Sequence, residues 1–255
     1  MKSWKIERSK RPYSGSWVKK MLLQVESLDF FIGSTQILRG VSLLVKEEEI
    51  VCLLGRNGAG KSSIIKNIIG LYSSRSGKIN FQGQDITLFS PRQKVLAGLG
   101  YSPEDAKIFS DLTVEENINL STWVRDRAEI KKVFSFEKIF TIFPGIKKFL
   151  TRKGLHLSGG EKKMTSIARA LALNPSLLLL DEAFEGLAPL VVKHFIEALS
   201  QIRDLGVAIL LGESNVRIAS QIAGRSYIVE RGEIIFEGLP REILENEKLL
   251  KIVGR

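Results

Sequence analysis

The sequence has few of the residues that form disulfides or bind transition metals. Its 255 residues include one cysteine, Cys52, and two histidines, His156 and His194. A single cysteine excludes a disulfide framework within the chain, and we expect Cys52 to pack as a small core residue. Neither histidine has another ligand residue at metal-binding spacing, so we assign both a structural role.

Long hydrophobic runs are also absent. The longest unbroken apolar stretches have four or five residues, as in Leu177–Leu180 and Val207–Leu211. A membrane-spanning helix needs roughly 20 such residues, so the sequence predicts no membrane span. Hydrophobic residues make up 44% of the chain and charged residues 26%, which fits one globular unit with a sizeable core.

Acidic residues are scarce at the N-terminus. The chain has a net charge of +10, and residues 1–20 alone hold seven Lys and Arg against the single acid Glu7, a net +6. We predict a basic, disordered leader over residues 1–20. The alternatives are contact with an anionic membrane or RNA, and a true start at Met21. Because the remaining residues are only mildly basic, we expect no nucleic-acid partner.

Strand-like and helix-like segments alternate along the chain. Two strand-like stretches precede Lys46, Ile50–Leu54 is typical of a buried strand, and Ser62–Leu71 is typical of a helix. A further apolar strand lies at Leu177–Leu180. This alternation predicts a mainly parallel α/β sheet, since parallel strands are joined by helical crossovers.

A segment of phenylalanine-rich helices interrupts this pattern over about residues 103–153. Four apolar residues recur there at steps of three or four, as on one face of a helix: Val133, Phe136, Phe140 and Phe143. The pattern favours the core of a helical insert. The alternative is an exposed aromatic face that docks a partner.

The loop after the first buried strand matches the phosphate-binding pattern G-x-x-x-x-G-K-[ST] at every fixed position. Its glycines allow backbone N–H groups to approach phosphates, its lysine supplies a cation, and its serine hydroxyl can coordinate Mg²⁺. The candidate nucleotide-binding residues are Gly55, Arg56, Asn57, Gly58, Ala59, Gly60, Lys61, Ser62 and Ser63. The loop lies between a predicted strand and a predicted helix, which is the context that a phosphate-binding loop requires.

Two acids, Asp181 and Glu182, follow the four leucines of Leu177–Leu180. In phosphate-loop enzymes a first carboxylate at such a strand end holds Mg²⁺ and a second group orients the attacking water. Taken alone, the pair is also compatible with a strand that ends in solvent. Together with the phosphate loop, it indicates nucleotide hydrolysis with Glu182 as the catalytic residue.

A Ser-Gly-Gly sequence, Ser158 to Gly160, lies about 20 residues before these acids. At a helix start it exposes backbone N–H groups and a hydroxyl at the positive end of the helix dipole, which suits an anionic phosphate. We expect that Ser158, Gly159 and Gly160 do not easily reach the phosphate held by Lys61 of the same chain.

These motifs together resemble the ATP-binding subunit of an ABC transporter, whose signature sequence L-S-G-G stands here at residues 157–160. The resemblance covers the chain from about Met21 to the C-terminus. It implies a P-loop NTPase of ABC type over residues 21–255, with a RecA-like core, a mainly parallel sheet, an N-terminal antiparallel β segment and a helical subdomain over about 103–173. It also implies ATP hydrolysis, with ATP and Mg²⁺ as cofactors and Ser62, Asp181 and Glu104 at the metal.

The resemblance further implies partners. In that family two cassettes pair head to tail, so each ATP lies between the phosphate loop of one chain and the signature of the other. Their cycle drives separate transmembrane permease subunits, which implies a location at the cytoplasmic face of the membrane. Whether the second cassette is another copy or a different chain stays open.

Two stretches, residues 98–118 and 177–189, resemble more narrowly the ATPases of branched-chain amino-acid importers and related urea and amide importers. The shared features are a P-E-D turn, an F-x-x-L-T-V-x-E-N run and a G-L-A-P ending. This implies import of branched-chain amino acids or a similar small polar solute, with a solute-binding protein. Glu104 stands where most ABC ATPases place a glutamine near Mg²⁺ and the attacking water, and glutamate is usual in this branch.

One departure from the family lies where its adenine-stacking tyrosine usually stands. Ile32 occupies that position, and Phe31 precedes it. Because adjacent strand residues face opposite ways, we expect that Phe31 does not replace the missing aromatic. The loss of one aromatic stack lowers nucleotide affinity by about 1 kcal/mol.

Two further departures follow the acidic pair and the strand Val207–Leu211. Ala183 replaces the usual proline, which affects loop stiffness more than chemistry. Ser214 stands where the family places a histidine, or in this branch often a glutamine, that reaches the γ-phosphate. Its hydroxyl is too short to span that gap without a bridging water. We therefore list Ser214 with Glu182 and Glu104 as catalytic candidates and expect hydrolysis to be slowed, not abolished.

Other functions of the same fold remain as alternatives. The stretches SNVRIA and GYSPED also resemble lipopolysaccharide-export ATPases. Soluble ABC ATPases act on ribosomes or DNA, but those usually carry two cassettes or long coiled coils, which this chain lacks. A nucleotide-binding regulator with low turnover is suggested by Ile32 and Ser214.

Overall fold

The structure is a computed structural model and describes residues 20–127 and 134–254. The predicted leader lies outside these residues except for Lys20, and Val133 also lies outside them. The strands are β1 (Met21–Ile32), β2 (Thr35–Lys46), β3 (Ile50–Leu54), β4 (Ser76–Phe81), β5 (Gln84–Asp85), β6 (Leu99–Ser102), β7 (Leu177–Asp181), β8 (Ala208–Glu213), β9 (Arg225–Glu230) and β10 (Glu233–Gly238). The helices are α1 (Lys61–Ile69), α2 (Pro91–Leu96), α3 (Val114–Arg127), α4 (Phe136–Ile142), α5 (Gly159–Leu171), α6 (Pro189–Asp204), α7 (Val216–Ile222), α8 (Pro240–Glu245) and α9 (Glu247–Val253).

The strands form two sheets. The smaller sheet has the order β2-β1-β4-β5 and its strands pair antiparallel. The larger has the order β10-β9-β3-β8-β7-β6, in which all neighbours pair parallel except β10 and β9. This arrangement confirms the predicted mainly parallel sheet and the N-terminal antiparallel segment. In the described part of the chain, no helix is long and apolar enough to cross a membrane.

The central strands β3, β7 and β8 are buried along their whole length. Alternate residues face opposite layers of the molecule. Cys52 packs in the cluster that includes residues of α5, α6 and α7, as a fully buried core residue, whereas Val51 and Leu53 pack in the cluster shared with α1 and the small sheet. Burial on both faces explains why these strands are nearly continuous apolar runs in the sequence.

The chain between β6 and β7 is mostly helical, but the phenylalanine pattern predicted its geometry only in part. Helix α4 buries Ile139 and Ile142, while Phe136 and Phe140 are half-buried. Phe143 is not in the helix, because the chain leaves helical geometry at this residue. Its ring is buried and packs against Phe195 of α6, with 6.0 Å between ring centroids. The limits of a subdomain over about 103–173 stay a prediction.

The C-terminal helices α8 and α9 did not stand out in the sequence. Helix α9 reaches the phosphate loop, where Arg56 Nη2 donates a hydrogen bond of 2.6 Å to the Lys251 carbonyl. The loop also touches β9, since a Cβ on Gly55 would lie 2.4 Å from the Val229 carbonyl oxygen. Residue 55 must therefore be glycine for the loop to lie this close to β9.

The buried guanidinium group of Arg225 connects several strands near one edge of the large sheet. Arg225 at the start of β9 donates to both carboxylate oxygens of Glu49, at 3.0 and 2.8 Å, and to Glu237 Oε1 at 2.8 Å. It also donates to the Leu44 carbonyl at 2.9 Å. Burial alone would lower the pKa of Arg225, but the hydrogen bonds and charge of Glu49 outweigh it and raise the pKa above its ordinary value. The cluster thus joins β2, β9 and β10.

We expect Arg225→Met to lower the free energy of unfolding by about 3 kcal/mol, because two carboxylates would lose their buried cation. Chemical denaturation at neutral pH measures this loss. The matched control is Arg203→Met, whose ion pair with Asp204 has side chains 37% and 64% exposed and should contribute less than about 1 kcal/mol. Equal, small losses for both variants would contradict the assignment.

Candidate functional site

The phosphate loop connects the end of β3 to the start of α1. Gly58 and Gly60 have φ angles of 81° and 115°, in the left-handed region that favours glycine. Helix α1 begins at Lys61, so the loop ends at the positive end of a helix dipole. The strand–loop–helix context that the motif requires is therefore present.

Lys61 is nearly enclosed, with 4% of its side chain exposed. Its ammonium group donates hydrogen bonds to the carbonyl oxygens of Gly55 at 2.7 Å and Arg56 at 3.1 Å. It also forms an ion pair with Glu182 Oε1 at 2.9 Å. The cation of the phosphate loop and the second acid of the pair after β7 therefore face each other directly.

Ser62 and Asp181 form a second link between the same two motifs. Ser62 Oγ donates a hydrogen bond of 2.9 Å to Asp181 Oδ1, across 119 positions of sequence. Burial raises the pKa of Asp181, and the Ser62 hydrogen bond opposes that rise. Asp181 Oδ2 is buried and has no hydrogen-bond partner among the described residues.

This pair fits a hard divalent cation, since a hydroxyl and a buried carboxylate with a free oxygen are ligands such ions prefer. Within residues 20–127 and 134–254, no group of three or more His, Cys, Asp or Glu side chains could hold a metal ion. A cation bound beside Ser62 and Asp181 would therefore need oxygens from phosphate or water to complete its coordination.

Glu182 has an unusual backbone for a residue with a side chain. Its φ is 45°, and its N–H donates to the Gly212 carbonyl at 2.9 Å. Its Oε2 atom is buried and has no hydrogen-bond partner in the described structure. Strained conformations of this kind occur often at functional sites, where the surrounding structure holds them.

A cavity of about 300 Å³ brings these motifs together. It receives residues from the β1–β2 hairpin, the phosphate loop and the loops after β6 and β7. The lining residues are Ile37, Asn57, Gly58, Gly60, Lys61, Ser62, Ser63, Glu104, Glu182 and Glu185. The loops after parallel strands meet at one edge of the sheet, which explains why sequence-distant motifs share one cavity. Ile37 and Glu185 were not predicted, and no motif in the sequence marks either of them.

The signature residues lie elsewhere. Ser158 caps α5: its Oγ accepts a hydrogen bond from the Glu161 N–H at 3.3 Å, and Glu161 Oε2 accepts one from the Ser158 N–H at 2.8 Å. Ser158 and Gly159 are exposed. Neither they nor Gly160 line the described cavity. This helix start is therefore open to a second molecule.

Ile32 is 56% exposed at the tip of the β1–β2 hairpin, where it pairs with Thr35. Phe31 is half-buried beneath Arg75, whose guanidinium carbon lies 4.9 Å from the ring centroid. Nearer the phosphate loop, Ile37 of the same hairpin lines the cavity. The hairpin therefore contributes the aliphatic side chain of Ile37 to the cavity, whereas Ile32 is not among the residues that line it.

Ser214 follows Glu213, a buried acid that the sequence analysis missed. Glu213 Oε1 accepts hydrogen bonds from the N–H groups of Ser214 at 2.9 Å and Asn215 at 3.0 Å. Burial raises the pKa of Glu213; these backbone hydrogen bonds oppose the rise, and the charge of Glu182 adds to it. Ser214 is half-buried and is not among the residues that line the cavity.

Comparison with known proteins places the chain in a family. Residues 38–185 match the family model described as ABC transporter. The chain is 34% identical over 228 residues to the high-affinity branched-chain amino acid transport ATP-binding protein BraG of Pseudomonas aeruginosa, covering 89% of this chain and 97% of the relative. It is 35% identical over 232 residues to the lipopolysaccharide export system ATP-binding protein LptB of Haemophilus influenzae, covering 91% and 96%.

A solved nucleotide-free ATP-binding cassette from an ABC transporter has the same fold. It superposes with a TM-score of 0.79 at 25% identity and covers 92% of this chain and 100% of its own. The chain therefore belongs to the ABC transporter family of ATP-binding cassettes. It is an ATP-binding, ATP-hydrolysing subunit, of the kind that dimerises and associates with permease components.

The raised pKa of Glu213 leads to a prediction about stability. When the pKa of an acid is higher in the folded protein than in the unfolded chain, the free energy of unfolding falls as the pH rises from the unfolded pKa through the folded pKa. Glu213→Gln keeps an acceptor for the two N–H groups and removes the charge. We expect this variant to be more stable than the wild type at pH 8, with a difference that shrinks as the pH falls toward 4.5, the ordinary pKa of glutamate.

Denaturation at pH 5.5 and pH 8 measures the effect, with the exposed Glu197→Gln as the matched control. A Glu213→Gln protein that is less stable than the wild type at pH 8 would contradict the expectation.

Proposed function

We propose that the cavity binds the triphosphate of ATP and that Glu182 acts on the attacking water. The observation that carries this proposal is the pairing of two distant motifs, Lys61 with Glu182 and Ser62 with Asp181. The phosphate loop residues 55–63 would hold the phosphates through backbone N–H groups and Lys61. Ile32 would lie beside the adenine base of ATP. Titration of the Ile32→Tyr variant with ATP tests this placement.

In this proposal the Lys61–Glu182 pair is the resting state of the site. Lys61 gains phosphate oxygens as partners when nucleotide binds, so its ammonium no longer neutralises Glu182. The carboxylate of Glu182 is then free to accept a hydrogen bond from water. Its unpartnered Oε2 is consistent with this role, because a buried acceptor without a partner favours a new donor.

Mg²⁺ would be held by Ser62 and Asp181, with Glu104 from the loop after β6 beside it. The ion would neutralise phosphate charge that builds up as the γ-phosphate leaves. The free, buried Asp181 Oδ2 supports this assignment, and Glu104 lines the same cavity.

The signature residues Ser158, Gly159 and Gly160 would bind the nucleotide of a second cassette; the first two are exposed and Gly160 is half-buried. Their helix start offers N–H groups to an anion, and they do not line the cavity of their own chain. Closure would then depend on the γ-phosphate, because a ligand shifts a conformational equilibrium only through its different affinity for the two states.

At the level of transport, we propose that the chain powers import of branched-chain amino acids or a similar small polar solute. It would lie at the cytoplasmic face of the membrane, bound to permease subunits that receive cargo from a solute-binding protein. The similarity to BraG and the P-E-D turn support this proposal. The similarity to LptB supports a second candidate, lipopolysaccharide export, which needs no solute-binding protein.

Reconstitution separates the two candidates. The chain and the permeases that co-purify with it are placed in proteoliposomes with ATP on the cytoplasmic side. Uptake of labelled leucine that depends on ATP and on an added solute-binding protein supports import. Lipopolysaccharide extraction in the absence of leucine uptake would contradict import and favour the second candidate.

We expect Glu182→Gln to slow ATP hydrolysis by about 100-fold or more, since the amide cannot act on water as the carboxylate does. ATP affinity should change little, because Lys61 and the backbone of the loop remain. Steady-state hydrolysis and nucleotide titration measure the two effects. The exposed Glu197→Gln is the control, and a Glu182→Gln protein with near wild-type turnover would contradict the assignment.

Ser214 gives a prediction of opposite sign. A longer amide side chain would reach the γ-phosphate directly, so Ser214→Gln should raise turnover by about fivefold, the effect of one added hydrogen bond. Ser214→Ala should lower turnover by a smaller factor. Turnover that is unchanged in Ser214→Ala and not improved in Ser214→Gln would show that position 214 has no part in hydrolysis.

A further inference from the structure

Helix α5 contacts the loops that carry the two catalytic candidates Glu104 and Glu182. Ser158 caps the N-terminus of this helix. Farther along it, the side chains of Lys163 and Arg169 extend toward two different loops. One loop follows β6, and the other follows β7. The signature sequence and the cavity are thus joined by one helix of 13 residues.

Lys163 holds the loop after β7. Its Nζ donates hydrogen bonds to the backbone carbonyl oxygens of Glu182 at 2.5 Å and Glu185 at 2.8 Å. Burial lowers the pKa of Lys163, and the charge of Glu185 opposes this. The hydrogen-bond partners of this half-buried ammonium in the described structure are carbonyls, so its contacts act on backbone geometry.

The backbone that Lys163 holds is strained. Glu182 has a φ of 45°, which costs a residue with a Cβ free energy unless its neighbours hold it. Strand β8 holds it on one side, where the Glu182 N–H donates to the Gly212 carbonyl. Lys163 holds it on the other side through the carbonyl. The direction of the Glu182 side chain depends on both contacts.

The same helix also holds the loop that carries Glu104. Ser166 Oγ accepts a hydrogen bond from Ser102 Oγ, at the end of β6, at 2.8 Å, and Arg169 Nη2 donates one to the Lys107 carbonyl at 2.7 Å. Lys107 itself has a φ of 34°. Hydrogen bonds from α5 therefore hold strained backbone in the loop after β6 and in the loop after β7.

We propose that Lys163 is a positioning residue for Glu182. It fixes the backbone from which the catalytic carboxylate projects, and it does so from the helix whose first residues face a second cassette. This inference rests on the proposed function of Glu182. Lys163 should affect the chemical step and not nucleotide binding, since its side chain does not line the cavity.

The test compares kcat and KM for ATP in Lys163→Met, which keeps the length of the side chain and removes its donors. We expect kcat to fall about tenfold, the loss for one hydrogen bond that holds a catalytic group, with KM within twofold of the wild type. Lys163→Gln keeps two donors on a shorter side chain and should give an intermediate kcat, and Lys163→Arg should approach the wild type. The control is Lys162→Met, one position earlier on α5, with both constants unchanged.

A double-mutant cycle tests whether Lys163 acts through Glu182. In the Glu182→Gln background, Lys163→Met should change the residual rate by less than twofold, because the group that it positions is already gone. A tenfold loss in both backgrounds would overturn the proposal. So would unchanged kcat in Lys163→Met, or a kcat loss in all three Lys163 variants that follows a lowered melting temperature.

These outcomes differ from a failure of the proposed function. If wild-type turnover survives Glu182→Gln, Glu182 is not the catalytic residue and both proposals fail. If Glu182→Gln abolishes turnover and Lys163→Met leaves it unchanged, only the positioning role of Lys163 fails.

Discussion

The ammonium group of Lys61 balances the charges on which the whole site depends. It lies between two carbonyl oxygens of its own loop and the carboxylate of Glu182, in surroundings that exclude most water. A buried charge is tolerated only with partners, so the phosphate loop and the loop after β7 must close on each other. Burial and the charge of Glu182 raise the pKa of the two neighbouring acids Asp181 and Glu213. In the proposed function, the phosphates of a bound nucleotide would replace Glu182 as the partner of Lys61.

The sheet places these groups. Strands β3, β8 and β7 are adjacent and parallel. The loop after β3 leads to Lys61 at the start of α1, and the loops after β8 and β7 carry Ser214 and Glu182. Their burial on both faces makes the strands rigid supports, while the strained residues lie in the loops. Helix α5 adds a connection from the exposed signature to those loops. The fold thus combines a rigid buried sheet with a few strained loop residues, whose backbone is held by side chains of α5.

The sequence predicted much of this because its strongest signals are local. The apolar runs of β3 and β7 mark strands buried on both faces, and the loop and acid motifs follow them directly. The parallel core was predicted from the alternation of strands and helices, and the antiparallel β1 and β2 were implied by the resemblance to ABC ATPases. The motifs' shared position follows from a general rule about strand ends, and it needed no knowledge of register.

What the sequence could not predict depends on long-range packing. Glu213 looks like any charged residue after a strand, and its burial arises because β8 lies between β3 and β7. Ile37 enters the cavity only because the hairpin folds over the phosphate loop. Nothing in the sequence distinguishes Lys162 from Lys163. Only the orientation of α5 directs Lys163 toward the loop after β7. Phe143 kept the helical spacing but packs beyond the end of α4, because the chain turns there toward Phe195.

The most direct test of the central claim, that Lys61 of one cassette and Ser158 of another hold the same nucleotide, is sedimentation velocity of the Glu182→Gln protein with ATP. The account predicts a dimer, formed alone or with a second cassette, that disappears when Ser158→Arg is added although ATP stays bound. A protein that binds ATP but remains monomeric in both settings would contradict it. A dimer that Ser158→Arg leaves intact would contradict it as well.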